Sequence, residues 1–123
     1  GRLGSDGQPR EIHVKESLAC IDFERGPVKP VTPVELSDGR HHFQELVRCN
    51  YFVIRRHYAV DEFDLKVDDR FRILMLLDGN ATVSTDACDT GLVKGTTALL
   101  PASTTRATIH PEGSITLLEV LYP

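Results

Sequence analysis

The side chains of this chain that could carry chemistry are its five histidines, its three cysteines and a few arginines set among apolar runs. In "RHHF", His41 and His42 are adjacent, so on a strand they leave opposite faces and make a poor chelating pair. His57 lies between "RR" and Tyr58 in a strand-like run and reads as a surface or rim residue. A metal site from His57, His110 and a carboxylate is the one unconventional arrangement that residue types leave open. Arg72 and Arg106 could together form a pocket for a phosphate or carboxylate, because guanidinium groups bind such anions bidentately. The plainer alternative is that each pairs with an aspartate or glutamate at a rim, or reaches out to water. No glycine-rich phosphate loop precedes a helix, and no G-x-S-x-G elbow occurs. Nothing supports covalent catalysis by serine or cysteine, and no catalytic residue is assigned.

The elements that must position these residues change character along the chain. Residues 1–11, "GRLGSDGQPRE", are polar and glycine-rich and read as loop. Val14, Leu18 and Ile21 then recur at helical spacing, which predicts a short amphipathic helix over about 14–22. Pro27, Pro30 and Pro33 follow, so the stretch to residue 40 reads as an extended connector. From residue 41 onward the pattern is that of strands. Phe63, Leu65 and Val67 alternate with Asp64 and Lys66, and "FRILMLL" is an apolar strand closed by the turn "DGN" at 78–80. Eight or nine short strands are expected, from "FQELVRC" to "SITLLEVLY", each bounded by Gly, Pro, Asp or Ser. That pattern predicts an all-β, antiparallel jelly-roll barrel over 41–123, preceded by a linker with one short helix over 1–40.

At 123 residues the chain suits one domain with a single core. A net charge of -4 gives no electrostatic reason to expect nucleic acid or an anionic membrane as partner. No apolar run approaches the roughly 20 residues a membrane span needs. Cys20, Cys49 and Cys88 are widely spaced, with no C-x-x-C, which suits neither a disulfide framework nor a zinc knuckle. They point to a reducing, cytoplasmic setting. Gly1 opens the chain and Met75 is its single methionine, so either an initiator was trimmed or this is a piece of a longer polypeptide.

"GLVKGTTALLPASTTRATIH", residues 91–110, has the Gly-x5-Pro cadence of the second metal-binding motif of a cupin barrel, and "LMLLDG" before it resembles the end of the first. A metal cupin sets three histidines and a glutamate around one divalent ion from neighbouring strands. With Gly79 closing the first motif, the glutamate position falls on Arg72. The histidine pair falls on Leu65 and Val67, or on Lys66 and Asp68 if the gap is one residue shorter. With Gly95 and Pro101 as anchors, the third histidine falls on Arg106 and the motif's final asparagine on His110. Leucine and valine have no donor atoms, and a guanidinium carries no lone pair for a metal. No metal is therefore expected in this barrel. Period two would put Phe63, Leu65, Val67, Leu74 and Leu76 inside it, with Arg72, Arg106, Thr108 and His110 in the interior or its mouth.

Two segments together resemble class I mannose-6-phosphate isomerases. One is "GRLGSDGQPREIHVKESLACIDF", residues 1–23, similar to a family stretch that passes through D-G-[KQ]-P-R-E-[LI]-H to a helix and I-D-F. The other comprises "CNYFVIRR", "FRILMLLDGNATV", "LVKGTTALLPAS" and the closing "LLEVLYP". The resemblance implies that zinc, its Gln-x-His pair, glutamate and later histidine, and the active-site arginine all belong to an N-terminal catalytic cupin domain ahead of Gly1. It implies that this chain is the C-terminal, metal-free domain, inactive alone, with that catalytic domain as its partner. It also implies a role for Arg10, in the matching P-R-E-[LI]-H, in attracting the phosphate of a sugar phosphate. The plainer alternative is a segment that only threads between domains. A reading from a different class is a free-standing, metal-free cupin that binds a small anionic sugar or carboxylate through Arg72 and Arg106.

Overall fold

The computed structural model describes residues 3–9, 12–27, 29–38 and 41–123. Arg10, singled out above, lies outside the described residues. The chain divides into two compact units, Gly1–Pro30 and Val31–Pro123.

In the first unit a tight turn brings Leu3 opposite Pro9, with the Asp6 carboxylate accepting from the Gln8 amide at 3.1 Å. One helix follows, α1 (Val14–Ala19). It is shorter than the apolar spacing predicts. Cys20 closes it with a bond to the Ser17 carbonyl, and Asp22 then takes the amides of Glu24 and Arg25 on its own side chain. An aspartate that binds the backbone locally competes with further helical bonds, so Ile21 falls beyond the helix. No residue of α1 is buried.

The second unit holds ten antiparallel strands: β1 (Val34–Ser37), β2 (His42–Arg48), β3 (Val53–Ala59), β4 (Phe63–Leu65), β5 (Arg72–Asp78), β6 (Asn80–Thr85), β7 (Asp89–Val93), β8 (Thr97–Leu100), β9 (Ala107–Pro111) and β10 (Ile115–Leu121). They form a six-stranded sheet ordered β1-β2-β3-β10-β5-β8 and a four-stranded sheet ordered β4-β9-β6-β7. The all-β jelly-roll expectation holds, and nine of the strands are those read from the sequence. β1 is the difference. It lies inside the stretch read as connector, pairing Val34 with Glu45 through Ser37 with His42. Pro33 stands immediately before it, where a missing donor costs nothing, and β1 is a sheet edge.

Alternation decides which side chains meet. In β10, Ile115, Leu117, Glu119 and Leu121 are buried while the residues between them are not. β5 buries Arg72, Leu74 and Leu76 in the same phase. Leu74, Leu76, Ile115 and Leu117 from one sheet join Phe63, Leu65, Val83 and Ile109 from the other in one apolar cluster, with Val67 packed against it. The two sheets therefore share a single core.

Gly79 is the one residue between β5 and β6, where the chain passes from one sheet to the other. Its φ is +80°, and a Cβ there would lie 2.4 Å from the Ser114 carbonyl oxygen. Gly95 also has positive φ, at +86°, but opens onto free space. Both substitutions strain the backbone, and only one meets another chain segment. Gly79→Ala should cost on the order of 1–3 kcal/mol of stability and Gly95→Ala clearly less, read as shifts in urea midpoint. Equal losses would show that Ser114 moves aside freely.

Candidate functional site

The inner face of the six-stranded sheet changes from apolar to charged along its length. Register produces the change. Glu119 on β10 lies directly opposite Arg55 on β3, and Leu121 lies opposite Arg72 on β5, so Arg72 is diagonal to Glu119. Leu117 lies opposite His57, and His57 in turn opposite Phe43 on β2. Glu119, Arg72 and His57 are 1%, 2% and 3% exposed. They are charged or titratable groups at positions that alternation gives to the core.

Each has partners. Glu119 Oε1 accepts from Arg72 Nη1, while Oε2 lies 3.3 Å from His57 Nε2 and 3.7 Å from Arg55 Nη1. Arg72 Nη2 donates to Asp68 at 2.9 Å. On its other side the His57 ring meets His41, with Nδ1 2.9 Å from His41 Nε2. His41 is stacked on Phe63, ring centroids 3.9 Å apart and planes 9° from parallel. A continuous polar chain thus runs Asp68–Arg72–Glu119–His57–His41. It ends at a cavity of about 720 Å³, whose wall includes Asp38, His41, Tyr58, Phe63, Asp64 and Thr108. Thr108 is fixed there by donating to Asp64 at 2.6 Å.

Residues 42–120 match the family described as mannose-6-phosphate isomerase, cupin domain. The chain belongs to this family. Among solved structures, the mannose 6-phosphate isomerase from Bacillus subtilis superposes with a TM-score of 0.75 at 24% identity, over 97% of this chain and 37% of its own. The chain thus spans little more than a third of that protein's length. An RmlC-like cupin from Shewanella frigidimarina superposes with a TM-score of 0.63 at 13% identity, over 74% of this chain and 84% of its own. A Cupin 2 conserved barrel domain protein from Salinispora arenicola has the same TM-score at 14% identity, over 79% and 91%. At these identities the superpositions speak for the fold. No curated protein matches the sequence.

Within this cupin domain, the positions that the cupin motifs give to metal ligands hold Leu65, Val67, Arg72 and Arg106. The first is buried in the core cluster, the second packs against it, and Arg72 is clamped between carboxylates. These four offer a cation no lone pair. In the frame one residue shorter, which gives the histidine pair to Lys66 and Asp68, the Asp68 carboxylate is already paired with Arg72, so these residues do not fit a metal. Among the described residues, no three histidine, cysteine, aspartate or glutamate side chains converge on a common point for a metal. Arg106 is exposed, in the loop before β9, whereas Arg72 is buried, so the two do not present one anion-binding surface. His110 is half-buried, with Nδ1 3.2 Å from Glu62.

Two features escaped the sequence reading. His57 is not at the surface or rim, because it shares the inward phase of Val53 and packs between Phe43 and Phe63. Glu119 was passed over as part of an apolar strand. The signal was present: it occupies the inward phase of "ITLLEVL", where a lone carboxylate demands a buried counter-charge.

The electrostatics follow from burial and pairing. Burial raises the Glu119 carboxyl, but the hydrogen bonds and charges of His57 and Arg72 outweigh it and hold the group below its ordinary value of 4.5. His41 is held below its ordinary 6.5, by burial first and by neighbouring His57 next, with Asp38 opposing. Both groups take up protons more readily in the unfolded chain, so both favour unfolding as pH falls. The His41 contribution is complete above about 6.5 and fades below it. That of Glu119 is complete above about 4.5 and is lost as pH falls through its lower folded value, where Glu45, Asp78 and Asp86 are held low as well.

Two outcomes are expected. The melting temperature should fall in two stages on acidification, and His41→Phe should remove the upper stage alone, as read by circular dichroism between pH 8 and 3. Glu119→Gln should cost about 3–5 kcal/mol, because it strips a buried guanidinium of its main counter-charge, and adding Arg72→Met should recover most of that loss. An additive double variant in urea denaturation would mean the two side chains are not coupled.

Proposed function

We propose that this chain is the C-terminal, metal-free and by itself non-catalytic cupin domain of a zinc-dependent mannose-6-phosphate isomerase. The observation that carries the reading is Arg72. It stands at the glutamate position of the first cupin motif with Nη1 and Nη2 given to Glu119 and Asp68, so an internal ion pair occupies what a metal cupin leaves for its metal. The parent reaction interconverts mannose 6-phosphate and fructose 6-phosphate, an aldose–ketose exchange in which a proton leaves C2 and one returns to C1 through an enediol. Zinc, bound in an N-terminal catalytic domain, supplies polarisation of the sugar oxygens there.

This chain's own part is to cover and position that domain. Ile12, Val14, Leu18, Ile21 and Phe23 in the first unit are all at least half exposed, as a strand or helix prepared for burial against a partner leaves them. The outer phase of β5 and β8 adds Met75, Leu77 and Leu99. Arg10 then serves as the basic residue that draws in the substrate phosphate. Nothing in this role calls for nucleic acid or a membrane. Among the described residues no helix is long and apolar enough to cross one. The reading places the protein in the cytoplasm, with its three cysteines as free thiols. A free-standing anion-binding cupin is less well supported, since Arg72 is buried with both Nη1 and Nη2 already paired to carboxylates.

Elemental mass spectrometry of the purified chain, after zinc saturation and dialysis, should find almost no metal. The same preparation should not interconvert the two sugar phosphates. About one zinc retained per chain, or turnover by the chain alone, would overturn the reading.

A further inference from the structure

The two sheets differ on the faces turned away from the core. In the four-stranded sheet, register sets Asp64, Thr108, Ser84 and Asp89 in one outward row across β4, β9, β6 and β7, all of them polar. That is the face of a sheet which water covers. In the six-stranded sheet register builds the opposite. Val47, Ile54, Val120, Ile73 and Leu99 lie side by side on β2, β3, β10, β5 and β8, an apolar row five strands wide. The row has the outward phase, because the neighbouring Val53, Leu121, Arg72 and Leu100 are the buried residues of their strands. Leu118 and Met75 extend it on one side, and Phe52, Tyr122 and Phe71 stand just beyond the strand ends on the other. Phe52, Phe71, Tyr122, Met75 and Leu99 are between 37% and 63% exposed. An antiparallel sheet with one wet face alternates apolar and polar residues along each strand. β5, with "ILMLL", is apolar on both faces, as a strand covered on both would be.

We propose that two copies of this chain pair face to face through this surface, about a two-fold axis running along β10 at Val120. Five strands about 4.8 Å apart and some 20 Å of strand make a patch of roughly 500 Å². Two such patches withdraw about 1,000 Å² from water, the lower end of what a specific interface needs. An α-helix is about 10 Å across and would span only two of the five strands, whereas a second sheet face spans them all. A second copy brings such a face. β10 is the middle strand of the five, so the axis lays one apolar row along the other in reverse. Leu99 of one copy then meets Val47 of the other, Ile73 meets Ile54, and Val120 meets its own counterpart. No charge enters the row. Arg56, bonded to Gln44 and lying over the Tyr58 ring, stands at its border, where an interface keeps its polar rim. The isomerase reading gives Met75, Leu77 and Leu99 to a catalytic domain. The pairing concerns the chain in the absence of that domain, so either can fail without the other.

The test is sedimentation velocity of the full chain over a range of about 1 to 200 µM, which brackets the affinity that a patch of this size suits. It should show a reversible monomer–dimer equilibrium with Kd on the order of 10 µM. A chain that stays monomeric throughout would overturn the proposal. So would growth beyond the dimer without limit, which would mean that the patch meets a different surface. Val120→Lys and Val120→Glu each set like charges together at the axis and should weaken pairing by about thirtyfold or more. An equimolar mixture of the two variants should pair again, since the axis then joins Lys to Glu. Ser84→Lys, on the outer face of the other sheet, should change nothing. Pairing undiminished by both Val120 variants, a mixture that stays monomeric, or pairing lost in Ser84→Lys would each overturn the assignment of this face. A sample mixed from carbon-13-labelled and unlabelled chain needs no variant. Nuclear Overhauser contacts between copies should join Leu99 to Val47, and a dimer without them would overturn it equally.

Discussion

A carboxylate buried between two arginines and a histidine constrains this barrel more than any apolar contact does. Glu119 is almost wholly withdrawn from water, and an isolated ion there would cost several kcal/mol. It is tolerable only if Arg72 and His57 are in contact with it at the same moment. Those partners come from β5 and β3, the two strands that flank β10 in the sheet. A slip of either neighbour by one residue would turn its partner to the outer face and leave the charge alone. Apolar packing sets how strongly the sheets adhere, since Leu117 would accept many apolar neighbours. The ion cluster sets which register they adhere in.

How far the sequence told this story depends on the range of each interaction. Alternation is local, so nine of the strands and the inward set Phe63, Leu65, Leu74 and Leu76 were legible without a structure. β1 was not, because four residues after a run of prolines carry no period, and only its pairing with β2 makes it a strand. The helix ended early because Asp22 found backbone amides of its own, a competition that apolar spacing does not record. His57 and Glu119 were misread for a shared reason. A polar residue in a strand reads as outward until its partner is known, and here the partners are 62 residues apart.

The same logic relates the ion cluster to the metal centres of similar barrels. There a divalent cation is held by imidazoles and a carboxylate from adjacent strands. Here the cation is the Arg72 guanidinium, covalently part of β5, and Glu119 and Asp68 are its ligands. Both devices tie neighbouring strands through a shared charge. They differ in what remains free. A metal keeps a coordination position that substrate can enter, whereas a guanidinium committed at Nη1 and Nη2 has no lone pair to lend and no site to open. A barrel pinned in this way joins neighbouring strands with a cation that belongs to its own chain.

The cluster nevertheless reaches a surface. Between Arg72 and the cavity lie two imidazoles, His57 within hydrogen-bonding distance of Glu119 on one side and of His41 on the other. The buried ion cluster and the cavity wall are thus joined through side-chain contacts alone, with no backbone group between them. A change at Arg72 therefore acts on the register of the sheet and, through Glu119 and His57, on the packing of His41 at the wall.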